Sequence, residues 1–140
     1  MTVKRKKIVL IVDDKREVRS LIRAIIESHF KIYELEILTA SSSDIAIQII
    51  DGKNGDIDII STNIHRPGMD GYVFINYIKF KYPQIKVLIC SGNAKLKDIG
   101  HMMERKLVDD FIKKPITERE LIDKVRGIFS TQKVVRPSFA

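Results

Sequence analysis

The sequence predicts an α/β fold, a (βα)5 doubly wound parallel sheet with strand order 2-1-3-4-5, and three observations lead there. Apolar runs rich in β-branched residues alternate five times with segments of helical period. The runs are apolar along their length, as strands covered on both faces are. With 140 residues the chain suits one domain with a real core. Right-handed crossovers then favour the common open order.

The first strand is Ile8 to Val12, followed by a helix from about Lys15 to His29 with Val18, Leu21, Ile22, Ile25 and Ile26 on one face. The second strand is about Leu35 to Ala40. Hydroxyls of the Ser41, Ser42, Ser43 cluster suit the N-cap of a helix carrying Ile45, Ile49 and Ile50 up to Gly52. Ile57 to Thr62 is the third strand. The helix after Gly71 presents Val73, Phe74, Tyr77 and Ile78 until Pro83 forbids continuation. The fourth strand is Val87 to Cys90, and a weaker helix between Lys95 and Lys106 precedes the short fifth strand, Asp110 to Lys113. Thr117 and Glu120 form a capping box, with Ile116 and Leu121 as its hydrophobic staple, for a last helix running to about Phe129. The domain therefore spans residues 8–129, between a basic tail at 1–7 and a second tail at 130–140.

Composition excludes several classes. No stretch approaches the roughly 18 apolar residues of a membrane span, and the five-residue run Ile8 to Val12 is too short for a signal peptide. The lone Cys90 has no intrachain partner, which fits a reducing, cytoplasmic setting. A net charge of +7 invites a nucleic-acid reading. Six of the 25 basic residues lie in the two acid-free tails, however, leaving 19 against 18 acidic residues in the body. Solvated tails explain the excess, and tails that grip nucleic acid are the alternative. His29, His65 and His101 are too scattered for a structural metal site.

In the expected topology Asp13 and Asp14 end the first strand, Asn63 the third, Ser91 the fourth and Lys114 the fifth. All five fall on one sheet edge, where open α/β folds bind ligands. Singly each has a plain reading: an aspartate pair caps a helix, a serine satisfies a turn, and a lysine before proline is a surface charge. Together, paired carboxylates favour Mg²⁺, and a hydroxyl and an ammonium opposite complete a cradle for a phosphoryl group.

The residues that carry this chemistry also carry a resemblance. VDD at 12–14, the stretch from Asp58 to Asn63, PGMDG at 67–71, ICSG at 89–92 and DDFIKKP at 109–115 resemble the CheY-like receiver domain of two-component response regulators. The resemblance covers Ile8 to about Phe129 and implies a flavodoxin-like receiver fold. It implies that Asp13, Asp14 and the backbone carbonyl of His65 hold Mg²⁺. Ser91 and Phe111 correspond to the switch residues, Lys114 pairs with the phosphoryl group, and Pro115 is cis. The implied partners are a histidine kinase or phosphotransfer protein and a downstream protein bound through the face of the fourth helix, fifth strand and fifth helix.

At the family's phosphoacceptor position this chain has Asn63. An amide oxygen, its electrons delocalised into the C–N bond, is a feeble nucleophile. Asp58 belongs to the other end of the strand, Asp70 to a turn, and Ser61 and Thr62 lack an evident base. The expected function is thus a single-domain signalling module, a stand-alone receiver or one cut from a larger regulator, with no output domain in the 140 residues, not an enzyme and not phosphorylated on aspartate. Losing one charge should also weaken Mg²⁺ and turn Lys114 toward Asp13 or Asp14. Alternatives are an ordinary receiver carrying an introduced Asp-to-Asn change, deamidation of Asn63, which the bulky Ile64 disfavours, and a Mg²⁺-dependent phosphatase. HMMERKLVDD lacks the small-residue Gly-Ala turn usual before the fifth strand in the family, so that region is expected to be shifted or mobile.

Overall fold

The structure, a computed structural model, describes residues 4–64, 70–92 and 95–132. Five strands alternate with five helices: β1 Arg5–Val12, α1 Arg16–His29, β2 Tyr33–Ala40, α2 Ser43–Gly52, β3 Ile59–Thr62, α3 Gly71–Lys81, β4 Lys86–Ser91, α4 Leu96–Glu104, β5 Asp110–Lys113 and α5 Glu118–Thr131. All pairings are parallel, in the order β2-β1-β3-β4-β5.

Strand residues alternate between two cores, as a period of two requires. Ile8, Leu10 and Val12 of β1 face the cluster that includes Ile50, Phe74, Ile75, Ile78, Ile99 and Met102 of α2, α3 and α4. Val9 and Ile11 face the other, with Ile22, Ile26, Leu121, Val125 and Phe129 of α1 and α5. Helices thus cover both faces, which explains the continuous apolar strands.

Several boundaries differ from the sequence reading. β1 starts at Arg5, not Ile8, so Arg5, Lys6 and Lys7 are sheet and not tail. Partners explain the extension: Arg5 to Lys7 pair with Tyr33 to Leu35, and Lys6 forms an ion pair with Glu36 at 3.5 Å. Lys7 is buried, its ammonium 5.2 Å from the centroid of Phe129 and donating to Gln132 Oε1 at 2.8 Å. Gln132 in turn donates to the carbonyl of Asp58 at 2.8 Å. This tie carries α5 to Thr131, past the expected Phe129. Residues 133–140, most of the expected second tail, lie outside the described residues. Leu21, Ile45 and Val73, expected on core faces, are 45%, 42% and 57% exposed, because each helix turns its neighbours Ile22, Ala46 and Phe74 inward instead.

The caps follow the sequence. Ser42 accepts from the Ile45 N–H, and Thr117 accepts from the Glu120 N–H. α4 runs Leu96–Glu104 and has a regular ending. Lys106 takes the left-handed conformation, φ 59°, its N–H bonds the Met103 carbonyl, and the Leu107 N–H bonds that of Met102. These are the two hydrogen bonds of a Schellman ending, with lysine where glycine is usual.

Candidate functional site

The carboxyl edge of the sheet gathers the residues singled out in the sequence. The ladder extends one residue past three strand ends: the Asp13 N–H bonds the Ala40 carbonyl, Asn63 bonds Val12, and Lys114 bonds Ser91. Each side chain is therefore fixed by the backbone beneath it. Asp13 is 2% exposed and Asn63 7%, while Asp14 is exposed.

Asp13 is the hub. Its Oδ2 accepts from Lys114 Nζ at 2.8 Å, and its Oδ1 accepts from the Lys15 N–H at 2.9 Å. The carboxylate thus combines the plain role of steadying the start of α1 with an ion pair at the site. The guanidinium of Arg19 donates to the Asp13 carbonyl at 2.8 Å. Sequence reading missed Arg19. The available signal was its place one turn into α1, where side chains lean toward the helix N-terminus.

Ser91 is 3% exposed, and its Oγ has no hydrogen-bond partner among the described residues. A buried hydroxyl left unmatched is destabilising by about 1–3 kcal/mol, so this one fits a site that receives an oxygen ligand. Phe111 is half-buried against the core on the α2, α3 and α4 face. The Lys114–Pro115 bond is cis. His65 lies outside the described residues.

Asp58 lies at the opposite end of β3 from the edge and accepts from the Ile8 N–H at 2.7 Å, and Asp70 is engaged as a helix cap, accepting from the Tyr72 N–H of α3. Ser61 is buried with Oγ 3.4 Å from Cys90 Sγ, and Thr62 is also buried. Burial pushes the Cys90 thiol up to about 11, outweighing the opposing effects of Ser61 and Lys114. At pH 8 only about a thousandth of it is thiolate. Iodoacetamide should leave the native chain unmodified at that pH and add once per chain after unfolding in guanidinium, read by intact mass.

For a hard cation, Asp13 and Asp14 supply carboxylate oxygens of the right kind. Lys114 already holds one oxygen of Asp13, and no group of three acidic, His or Cys side chains able to hold a metal occurs among the described residues. The donor chemistry of Asp13 and Asp14 fits a hard cation, for which Lys114 would compete at Asp13.

Comparison with known proteins shows the family. Residues 9–126 match the response regulator receiver domain family. The heme response regulator HssR of Staphylococcus aureus (strain Newman) is 29% identical over 122 residues, which are 85% of this chain and 50% of that protein. The hydrogenase transcriptional regulatory protein HoxA of Cupriavidus necator is 27% identical over 124 residues, 89% of this chain and 24% of that one. The chain thus spans about half the length of the first and a quarter of the second. Among solved structures, a response regulator receiver domain protein from Clostridium thermocellum superposes with a TM-score of 0.78 at 24% identity, covering 89% of this chain and 94% of its own. A CheY-like receiver domain protein from Methanospirillum hungatei gives 0.74 at 25% identity, with the same coverage.

Proposed function

The chain belongs to the response regulator receiver domain family of two-component signalling, and from that membership we propose that it is a receiver which signals without aspartyl phosphorylation. The observation that carries this reading is the pairing at the edge: an amide, Asn63, ends β3, and the ammonium of Lys114 rests on Asp13 at 2.8 Å. A receiver that accepts phosphate needs a carboxylate to attack phosphorus, and Asn63 has none. The unmatched Ser91 hydroxyl and the Lys114 ammonium supply the remaining parts of a phosphoryl cradle.

In this reading Asp13, Asp14 and the carbonyl of His65 would hold Mg²⁺, weakly, and the ion would neutralise charge at the cradle. Ser91 and Phe111 occupy the switch positions. The chain works in the cytoplasm as a binding module and not as an enzyme, presenting one conformation to a histidine kinase or phosphotransfer protein and to a downstream protein. No described helix is long and apolar enough to cross a membrane.

Intact mass after incubation with Mg²⁺ and acetyl phosphate tests the proposal. The native chain is expected to keep its mass. A gain of one phosphoryl group would place the acceptor on another residue and overturn the reading.

A further inference from the structure

We propose that Arg19 is a positioning residue for the cation site of Asp13 and Asp14, holding in place the turn that carries both carboxylates. The inference rests on the reading of this edge as one that takes Mg²⁺. Arg19 is half-buried, one turn into α1, and its Nη1 donates to the Asp13 carbonyl at 2.8 Å. Arg23 and Arg126 pair with Glu27 and Asp123, whereas Arg19 enters no ion pair among the described residues. Its charge is spent on a backbone oxygen.

That oxygen stands where the sheet lets go of the chain. The last β1 carbonyl in the ladder is that of Val12, which accepts from the Asn63 N–H, and the Asp13 carbonyl comes next. Among the described residues it accepts no backbone N–H. A carbonyl leaving a sheet needs another donor, and Arg19 supplies a charged one, its long side chain leaning back toward the helix N-terminus. At Lys15, the N-cap of α1, no side chain caps the helix. Residue 13 holds the junction instead. Its N–H bonds the Ala40 carbonyl at 3.1 Å, its Oδ1 accepts from the Lys15 N–H at 2.9 Å, its Oδ2 accepts from Lys114 at 2.8 Å, and its carbonyl accepts from Arg19.

These bonds differ in what a bound cation does to them. A cation at Asp13 competes with Lys114 for the carboxylate, so that bond is the one to be exchanged. The Arg19 bond goes to the backbone and survives the exchange. Position and charge then predict opposite signs. As a charge alone Arg19 repels Mg²⁺, and removing it would tighten binding. As a positioning residue its removal loosens binding.

The test adds Mg²⁺ stepwise to the ¹⁵N-labelled native chain and its variants and follows the amide shifts of Asp13 and Asp14. Neighbours that orient metal ligands are worth about 10–100-fold in affinity, so Arg19→Met should weaken Mg²⁺ about tenfold or more despite removing a positive charge. Arg19→Lys, which keeps a cation able to donate to the carbonyl, should recover part of the loss. Arg23→Met removes the same charge one turn further along α1, where the guanidinium pairs with Glu27 at 2.9 Å, and should leave the affinity unchanged. Circular dichroism verifies folding, and Arg19→Ala gives the same reading should Arg19→Met fail to fold. Equal or tighter Mg²⁺ binding by Arg19→Met, or an equal loss in Arg23→Met, overturns this inference alone. A native chain whose Asp13 and Asp14 amides do not respond to Mg²⁺ overturns the cation site and this inference with it.

Discussion

Asn63→Asp is expected to turn the chain into one that takes a phosphoryl group from acetyl phosphate with Mg²⁺, while the native chain and Asn63→Ala stay unchanged in mass. The substitution is nearly isosteric, and the ladder bond from the Asn63 N–H to the Val12 carbonyl already holds the position in place. It supplies the missing carboxylate nucleophile opposite Ser91 and Lys114. It also adds a negative charge beside Asp13. A unit charge about 4 Å from another interacts by roughly 4 kcal/mol at an effective dielectric near 20, so even after desolvation Mg²⁺ should bind about tenfold tighter or better. Titration of Mg²⁺ by NMR reads that change independently of phosphorylation. If Asn63→Asp gains neither mass nor affinity, the edge is not a phosphoryl cradle, and the proposed roles of Ser91 and Lys114 fall with it.

Gly71→Ala should be the most damaging small substitution near the site. An added Cβ would lie 2.5 Å from the Ile64 carbonyl oxygen, 2.6 Å from Ile64 Cα and 2.9 Å from the Asn63 oxygen. All three are backbone atoms that cannot swing aside. The Gly71 N–H also bonds the Ile64 carbonyl at 3.1 Å, so relief requires moving α3 away from the end of β3. Overpacking of this kind costs about 1–3 kcal/mol or more, which lowers Tm by roughly 5–15 °C in a domain of this size. Gly100→Ala is the contrast. Its Cβ meets nothing within 4 Å, inside α4, and alanine there should stabilise by up to about 1 kcal/mol. Thermal unfolding by circular dichroism compares the two, and a Gly71→Ala variant as stable as the native chain would refute the contact.

Strand order, helix placement and the convergence of Asp13, Asn63, Ser91 and Lys114 were legible because each rests on local pattern plus one handedness rule. The start of β1 was not legible, since Arg5 to Lys7 look like solvated charge until Tyr33, Glu36 and Phe129 are brought beside them. Lys106 was misleading for a related reason. Glycine is the usual sign of a left-handed helix ending, and a lysine there carries no such sign. The Arg19 contact depends on helix phase, and Leu21, Ile45 and Val73 show how a stripe read one residue off misplaces the buried face.

The tie from Lys7 through Gln132 to Asp58 makes the polypeptide path nearly a ring. The third residue of β1 and the residue just past α5 are one hydrogen bond apart, so most of the entropy of closing that ring is already surrendered on folding. The order of elements along the chain is then a matter of where the ring is opened. The exposed turn at Asn54, between α2 and β3, is a second place where it could be cut, giving a permuted chain with the same sheet. In either form the opening lies at the amino edge of the strands, with the whole depth of the sheet between it and Asp13.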